Sequence, residues 1–239
     1  MKRRSLFLSL ILLLVFSLPG REASRTEHPD AVPGADALNK GNLFSAILFG
    51  DTALGRCWAA LRPEAEKLFP ALKMKAVEDL HVTVIYIGRE WSVEELPRLR
   101  RAMAVTIDET IRLRAEIANI GRSQQVVVVD LIGLPQALQD QIFTVKAELN
   151  RAGLKKPETY DAAFRPHVTL AEARDRPPSE PQALELKAFQ AWIAGRLDLA
   201  NLDVVLGPAT PIRLLLADAT RPAPLPEYIP VEKFLELYR

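Results

Sequence analysis

Asp79-Leu80-His81-Val82-Thr83-Val84-Ile85-Tyr86-Ile87-Gly88 is dense in β-branched and apolar residues and closes on a glycine, the pattern of a buried strand running into a turn. Phe164-Arg165-Pro166-His167-Val168-Thr169-Leu170-Ala171 has the same character. Both contain His-Val-Thr. Side chains alternate along a strand, so His81 and Thr83 share one face while Val82 and Val84 point into the opposite layer. The same spacing puts Arg165, His167 and Thr169 together. Two of the three histidines in the chain therefore stand in one local context, and the third, His28, does not.

Outward from these strands, helical and strand patterns alternate. Phe44 to Phe49 reads as a short buried strand. Asp51-Thr52 opens a helix that reaches about Phe69, with a break expected at Pro63. Met74 to Val77 reads as a further short strand. Ser92-Val93-Glu94-Glu95 is a capping-box pattern that starts a helix to about Val105. Arg112 to Ile120 and Gln125 to Ile132 form an expected antiparallel pair. Pro135 to Arg151 is a helix stopped by Gly153. The second His-Val-Thr strand is expected over Ala163 to Glu172, a helix over Ala183 to Leu197, and late strands over Ile212 to Ala217 and Ile229 to Leu237. Strand and helix, then strand and strand, recur about twice. The order predicts an α+β fold of two similar lobes, each a mixed or antiparallel sheet with outer helices.

The 239 residues suit one domain or two tight lobes, and an apolar fraction of 49% is enough to fill a core. With Lys+Arg 31 against Asp+Glu 30, the chain is not a basic, phosphate-coating nucleic-acid binder. One cysteine forms no internal disulfide, and no Cys/His set has zinc spacing. Cys57 lies among Leu54, Trp58 and Leu61 at helical spacing, so it reads as a buried packing residue.

The N-terminus has its own pattern. Lys2, Arg3 and Arg4 precede an apolar run from Leu6 to Leu18 that ends at Pro19-Gly20, which resembles an export signal. The run falls short of the roughly 20 apolar residues of a comfortable span, although an uncleaved leader would act as a membrane tether. Residues 1–20 are therefore expected to be a leader, 21–42 a Pro- and charge-bearing tether, and 43–239 the two-lobed domain. The expected location is periplasmic or secreted.

The chemistry rests on the paired histidines. A neutral imidazole takes a proton and an imidazolium gives one, both near neutral pH. Two such groups flanking a phosphodiester supply a base for the nucleophile and an acid for the leaving oxygen. Each threonine, two residues along, offers a hydroxyl to a non-bridging oxygen, and the Arg165 guanidinium suits a phosphate anion. The second motif has no carboxylate matching Asp79, which argues against a shared metal, so no metal is expected. The isolated Gly88, Gly121 and Gly133 make no phosphate loop, and no Gly-x-Ser-x-Gly elbow occurs.

The motif pair resembles the two-histidine phosphoesterase superfamily, which includes the bacterial 2′-5′ RNA ligase and cyclic phosphodiesterase group. The likeness extends more loosely from about Phe44 to Leu237. It implies a bilobal, pseudo-two-fold α+β fold with one His-x-Thr strand from each lobe facing a central cleft. It also implies metal-independent hydrolysis of 2′,3′-cyclic phosphates or 2′-5′ linkages, with no cofactor, by a monomer acting on a nucleotide or short RNA. His81 and His167 would then be the catalytic pair, and Thr83 and Thr169 would bind the phosphate, with Arg165, on its own chemistry, a further substrate-binding candidate. The leader departs from what an intracellular RNA-processing member would carry. The rival reading is a non-catalytic ligand-binding protein on the same fold.

Overall fold

A computed structural model describes residues 42–121, 123–198, 202–217 and 228–237. The leader and nearly all of the tether lie outside the described residues, as do residues 218–227. No helix among the described residues is long and apolar enough to cross a membrane.

The chain opens with β1 (Asn42–Leu48), whose continuous apolar run is buried on both faces. Helix α1 (Ala53–Leu68) follows, capped by Thr52, whose hydroxyl accepts from the Gly55 N–H at 3.2 Å. A Cβ at Gly55 would lie 2.1 Å from the Gly50 carbonyl oxygen, so the absence of a side chain there lets the helix start close over the end of β1. The helix runs unbroken through Pro63, contrary to the sequence expectation, because Leu54 and Trp58 before it and Ala65 after it are all buried in the core. Cys57 is exposed, not buried. It lies beside the Leu54–Trp58–Ala65 stripe and not on it.

Next come β2 (Leu72–Met74) and β3 (His81–Tyr86), then α2 (Leu96–Ala102), entered through the capping box of Ser92 and Glu95. Strands β4 (Ile111–Ile120) and β5 (Val126–Ile132) form the expected antiparallel pair. Helix α3 (Gln136–Arg151) ends ahead of Gly153, which takes φ +66°. Strand β6 (His167–Ala173) begins at the histidine itself, and α4 (Glu180–Ala194) starts earlier than expected because Pro181 fits its first turn. A four-residue strand, β7 (Asp203–Leu206), escaped the sequence reading. After β8 (Ile212–Ala217) the expected last strand shrinks to β9 (Tyr228–Pro230), followed by helix α5 (Val231–Leu237). Pro230 donates nothing to a ladder, and Glu232 suits the positive end of a helix.

The strands make two antiparallel sheets, ordered β3-β1-β8-β9 and β2-β6-β5-β4-β7. The sheets interleave along the chain instead of following one another. β2 leaves the first half of the sequence to flank β6, and β8 returns from the far end to flank β1 with β9 on its outer side. Each His-x-Thr strand is thus held in its own sheet, while β3 and β6 are in contact where the sheets meet. The main core behind them is continuous, from Phe49, Leu80 and Ile85 through Trp58 to Phe189, with the last two rings packed edge to face at 6.0 Å.

Candidate functional site

The two motifs share more than their letters. The carbonyl two residues before each histidine meets the imidazole: His81 Nδ1 lies 2.8 Å from the Asp79 oxygen and His167 Nδ1 lies 3.0 Å from the Arg165 oxygen. A carbonyl only accepts, so Nδ1 carries the hydrogen in both neutral rings and Nε2 carries the lone pair. The carbonyl just before each histidine is tied to the neighbouring strand's end, Leu80 O accepting from Phe49 N–H at 2.8 Å and Pro166 O from Leu131 N–H at 2.9 Å. Both strands also bulge after the threonine. In β3 the register passes from Thr83 to Ile85 without a partner for Val84 on β1, and in β6 it passes from Thr169 to Ala171 without a partner for Leu170 on β5. A bulge sends two successive side chains to one side, and Val84 with Ile85 and Leu170 with Ala171 are accordingly all buried. The threonine and histidine are left on the opposite face.

That face borders a cleft of about 410 Å³, within the usual range of small-molecule sites. Thr83, Arg165 and His167 line it directly, with Tyr86, Asn119, Val128, Asp130 and Lys146 among its other walls. Thr169 is in register with Val128, and His81 stands two residues before Thr83 on the same face. His81 and Thr169 are not themselves among the lining residues. The structure therefore brings Thr83 of the first motif together with Arg165 and His167 of the second.

The surroundings of the two imidazoles differ. His81 is half-buried between Phe44, at 5.2 Å between ring centroids, and Tyr228, edge-on at 4.5 Å. Tyr228 is itself placed by its backbone N–H donating to the Asp79 carboxylate at 3.2 Å, and its hydroxyl accepts from Lys75 Nζ at 3.3 Å. His167 is exposed and stands across the ladder from Asp130, a carboxylate with 2% exposure that accepts from Asn119 Nδ2 at 2.6 Å and pairs with the Arg165 guanidinium. Arg165 lines the cleft and is already paired with a carboxylate. Sequence reasoning missed Asp130, Tyr228 and Lys146. The signal for Asp130 was a lone acid in Val126-Val127-Val128-Val129-Asp130, and for Lys146 a lysine among the buried Leu138, Ile142, Val145 and Leu149.

At the far wall, Asp161 gathers donors. Lys155 Nζ lies 2.8 Å from Oδ1, while Asn150 Nδ2 and the Glu158 N–H each donate to Oδ2 at 3.0 Å. Burial pushes its carboxyl up, and the bonds from Lys155, Asn150 and Glu158 outweigh that to hold it below the usual carboxylate range. Burial, and then the Glu158 charge, push the Tyr86 hydroxyl up. Among the described residues, no three His, Cys, Asp or Glu side chains are grouped to hold a metal ion.

No family model and no curated protein matches the chain. Solved structures do. E. coli LigT in apo form is similar at 20% identity and TM-score 0.49, over 80% of this chain and 94% of that one. TT0787 of Thermus thermophilus is similar at 19% identity and TM-score 0.47, over 80% and 94%. The MHV ns2 PDE domain is similar at 15% identity and TM-score 0.40, over 74% and 97%. At such identities and TM-scores, the functional reading rests on the side chains of this chain and not on theirs.

Asp161 yields a pH test. Its folded pKa is depressed, so its stabilisation is complete above the unfolded value of about 3.9 and is lost as pH falls through the lower folded value. Asp161→Asn, which leaves the buried Lys155 ammonium without its counter-charge, is expected to cost about 3 kcal/mol at pH 7 and to flatten the acid limb of stability. Urea unfolding of both proteins from pH 7 to pH 3 measures it; equal slopes in the two would contradict the assignment.

Proposed function

We propose that the protein is a metal-independent phosphodiesterase acting on 2′,3′-cyclic phosphates or 2′-5′ linkages of nucleotides or short RNA. The observation that carries this is the duplicated fitting of His81 and His167: the same Nδ1 partner, the same anchored carbonyl and the same bulge, on two strands in contact. Each fitting ties Nδ1 to the backbone and leaves proton transfer to Nε2. One neutral imidazole takes the proton of the attacking water, whose oxygen bonds to phosphorus. The other, as imidazolium, gives its Nε2 proton to the ribose oxygen as the P–O ester bond breaks. Thr83 and Thr169 donate to the non-bridging oxygens, where charge grows in the transition state. Arg165, held by Asp130, supports the cleft rim with a fixed positive group. Which imidazole serves as base is set by which way round the diester lies.

The assay is hydrolysis of the four 2′,3′-cyclic nucleotides and a 2′-5′ dinucleotide in the presence of a chelator, using protein lacking residues 1–20. Activity without added metal is expected, bell-shaped in pH because one imidazole must be neutral while the other is charged. His81→Ala and His167→Ala should each fold and lose on the order of 10² to 10⁴ in rate. Thr83→Val and Thr169→Val should lose less, about 1 to 3 kcal/mol each. A folded single-alanine variant that keeps most of its activity would sink the two-histidine mechanism, and activity only with a divalent cation would sink its metal-free form.

The basic then apolar leader supports an activity outside the cytoplasm. Fractionation of cells carrying the full-length chain should recover it there; a soluble, full-length cytoplasmic protein would contradict the proposal.

A further inference from the structure

Helix α3 buries a lysine. Lys146 has 8% exposure and belongs to the same inward stripe as Ile142, Val145 and Leu149. Its ammonium makes no hydrogen bond or ion pair with any described residue, and it stands over the Phe164 ring, 5.4 Å from Nζ to centroid. The obvious counter-charge is committed elsewhere, since Asp161 already accepts from Lys155, Asn150 and the Glu158 backbone. Of the three described Lys and Arg side chains lining the cleft, Lys155 is paired with Asp161 and Arg165 with Asp130, and Lys146 alone has no carboxylate partner among the described residues. Burial accordingly lowers its pKa, with Lys155 adding to the effect and Asp161 and Glu158 opposing it.

A cation withdrawn from water without a partner is costly to the folded protein, and the cost is relieved when an anion arrives. The open direction is the cleft, which Lys146 shares with Thr83 and His167. We propose that Lys146 forms a second anion subsite, which takes the 5′-phosphate of a nucleotide whose 2′,3′-cyclic diester lies between His81 and His167. This rests on the phosphodiesterase reading. A 2′,3′-cyclic diester occupies both secondary hydroxyls of the ribose, so O5′ is the sugar position left to carry another phosphate. The Phe164 ring and the lysine stem wall the subsite with apolar surface, which strengthens a charge-assisted bond formed there. The favoured substrate is then a 5′-phosphorylated 2′,3′-cyclic nucleotide, or the end of a short oligonucleotide, in preference to a 2′,3′-cyclic nucleoside monophosphate with a bare 5′-hydroxyl.

The test compares 2′,3′-cyclic AMP with and without a 5′-phosphate. Wild-type protein is expected to show kcat/KM higher by about 10- to 100-fold for the phosphorylated substrate, mainly through KM. Lys146→Met should reduce that ratio to near one, and Lys146→Arg should keep most of it. Urea unfolding checks that the variants fold; the wild-type ratio needs no variant at all. Turnover of both substrates with a ratio near one would overturn the subsite and leave the phosphodiesterase reading standing. A preference that survives in Lys146→Met would place the phosphate elsewhere and also overturn it. If neither substrate is hydrolysed, the phosphodiesterase reading fails. Calorimetric binding of adenosine 3′,5′-bisphosphate against 3′-AMP then judges the subsite alone: tighter bisphosphate binding that Lys146→Met abolishes supports it, and equal binding rejects it.

Discussion

An imidazole that hydrogen-bonds through Nδ1 to a carbonyl has its tautomer fixed by that one contact. Here the carbonyl belongs to the residue two places earlier in the chain, Asp79 for His81 and Arg165 for His167, so backbone and ring are locked as a unit. Everything else about the site follows from keeping that unit in place. The preceding carbonyls of Leu80 and Pro166 are anchored to the ends of β1 and β5, which fixes the backbone path into each strand. Rotation of either carbonyl would release the ring and with it the direction of Nε2.

The fold supplies the remaining constraint. Each bulge keeps His and Thr on the cleft side while two consecutive residues beyond them are buried, so the polar pair is set against a dense core without a gap. Interleaving of the sheets then makes the arrangement hard to loosen piecemeal. β6 gains its second neighbour only when β2 pairs with it, and β1, which holds the edge strand β3, gains its own only when β8 does; these pairings join residues far apart in sequence. The contrast between the imidazoles is built on the same frame. Phe44 and Tyr228 pack against His81, while Asp130 stands across the ladder from His167, so one ring is packed by aromatics and the other is set beside a carboxylate–guanidinium pair.

Local pattern made much of this legible. The β-branched runs, the Ser92–Glu95 capping box and the glycine stop at Gly153 announced β3, α2 and the end of α3, because those signals act over a few residues. The His-Val-Thr repeat gave the site's histidines and threonines for the same reason. What local pattern could not carry was decided by contacts distant in sequence. Pro63 stays helical because the core holds both sides of it, and Cys57 is exposed because the buried stripe passes beside it. Residues 231–237 turn to helix after Pro230, where an apolar stretch alone does not choose between strand and helix. Tyr228 reaches His81 from the far end of the chain, its backbone N–H on the Asp79 carboxylate, and Asp130 meets Arg165 through β5 pairing with β6, so neither partnership is written in its own neighbourhood.

The central claim is that two imidazoles in matching tautomers face one phosphodiester. Histidine-selective ¹⁵N NMR tests it most directly, recorded above the imidazole titration range and then with a nucleoside vanadate bound. The account predicts that His81 and His167 both appear as the Nδ1–H tautomer, and that the vanadate complex perturbs Nε2 of both rings while leaving Nδ1 of each bonded to its carbonyl. An Nε2–H tautomer at either residue, or a complex that shifts only one of the two rings, would contradict it.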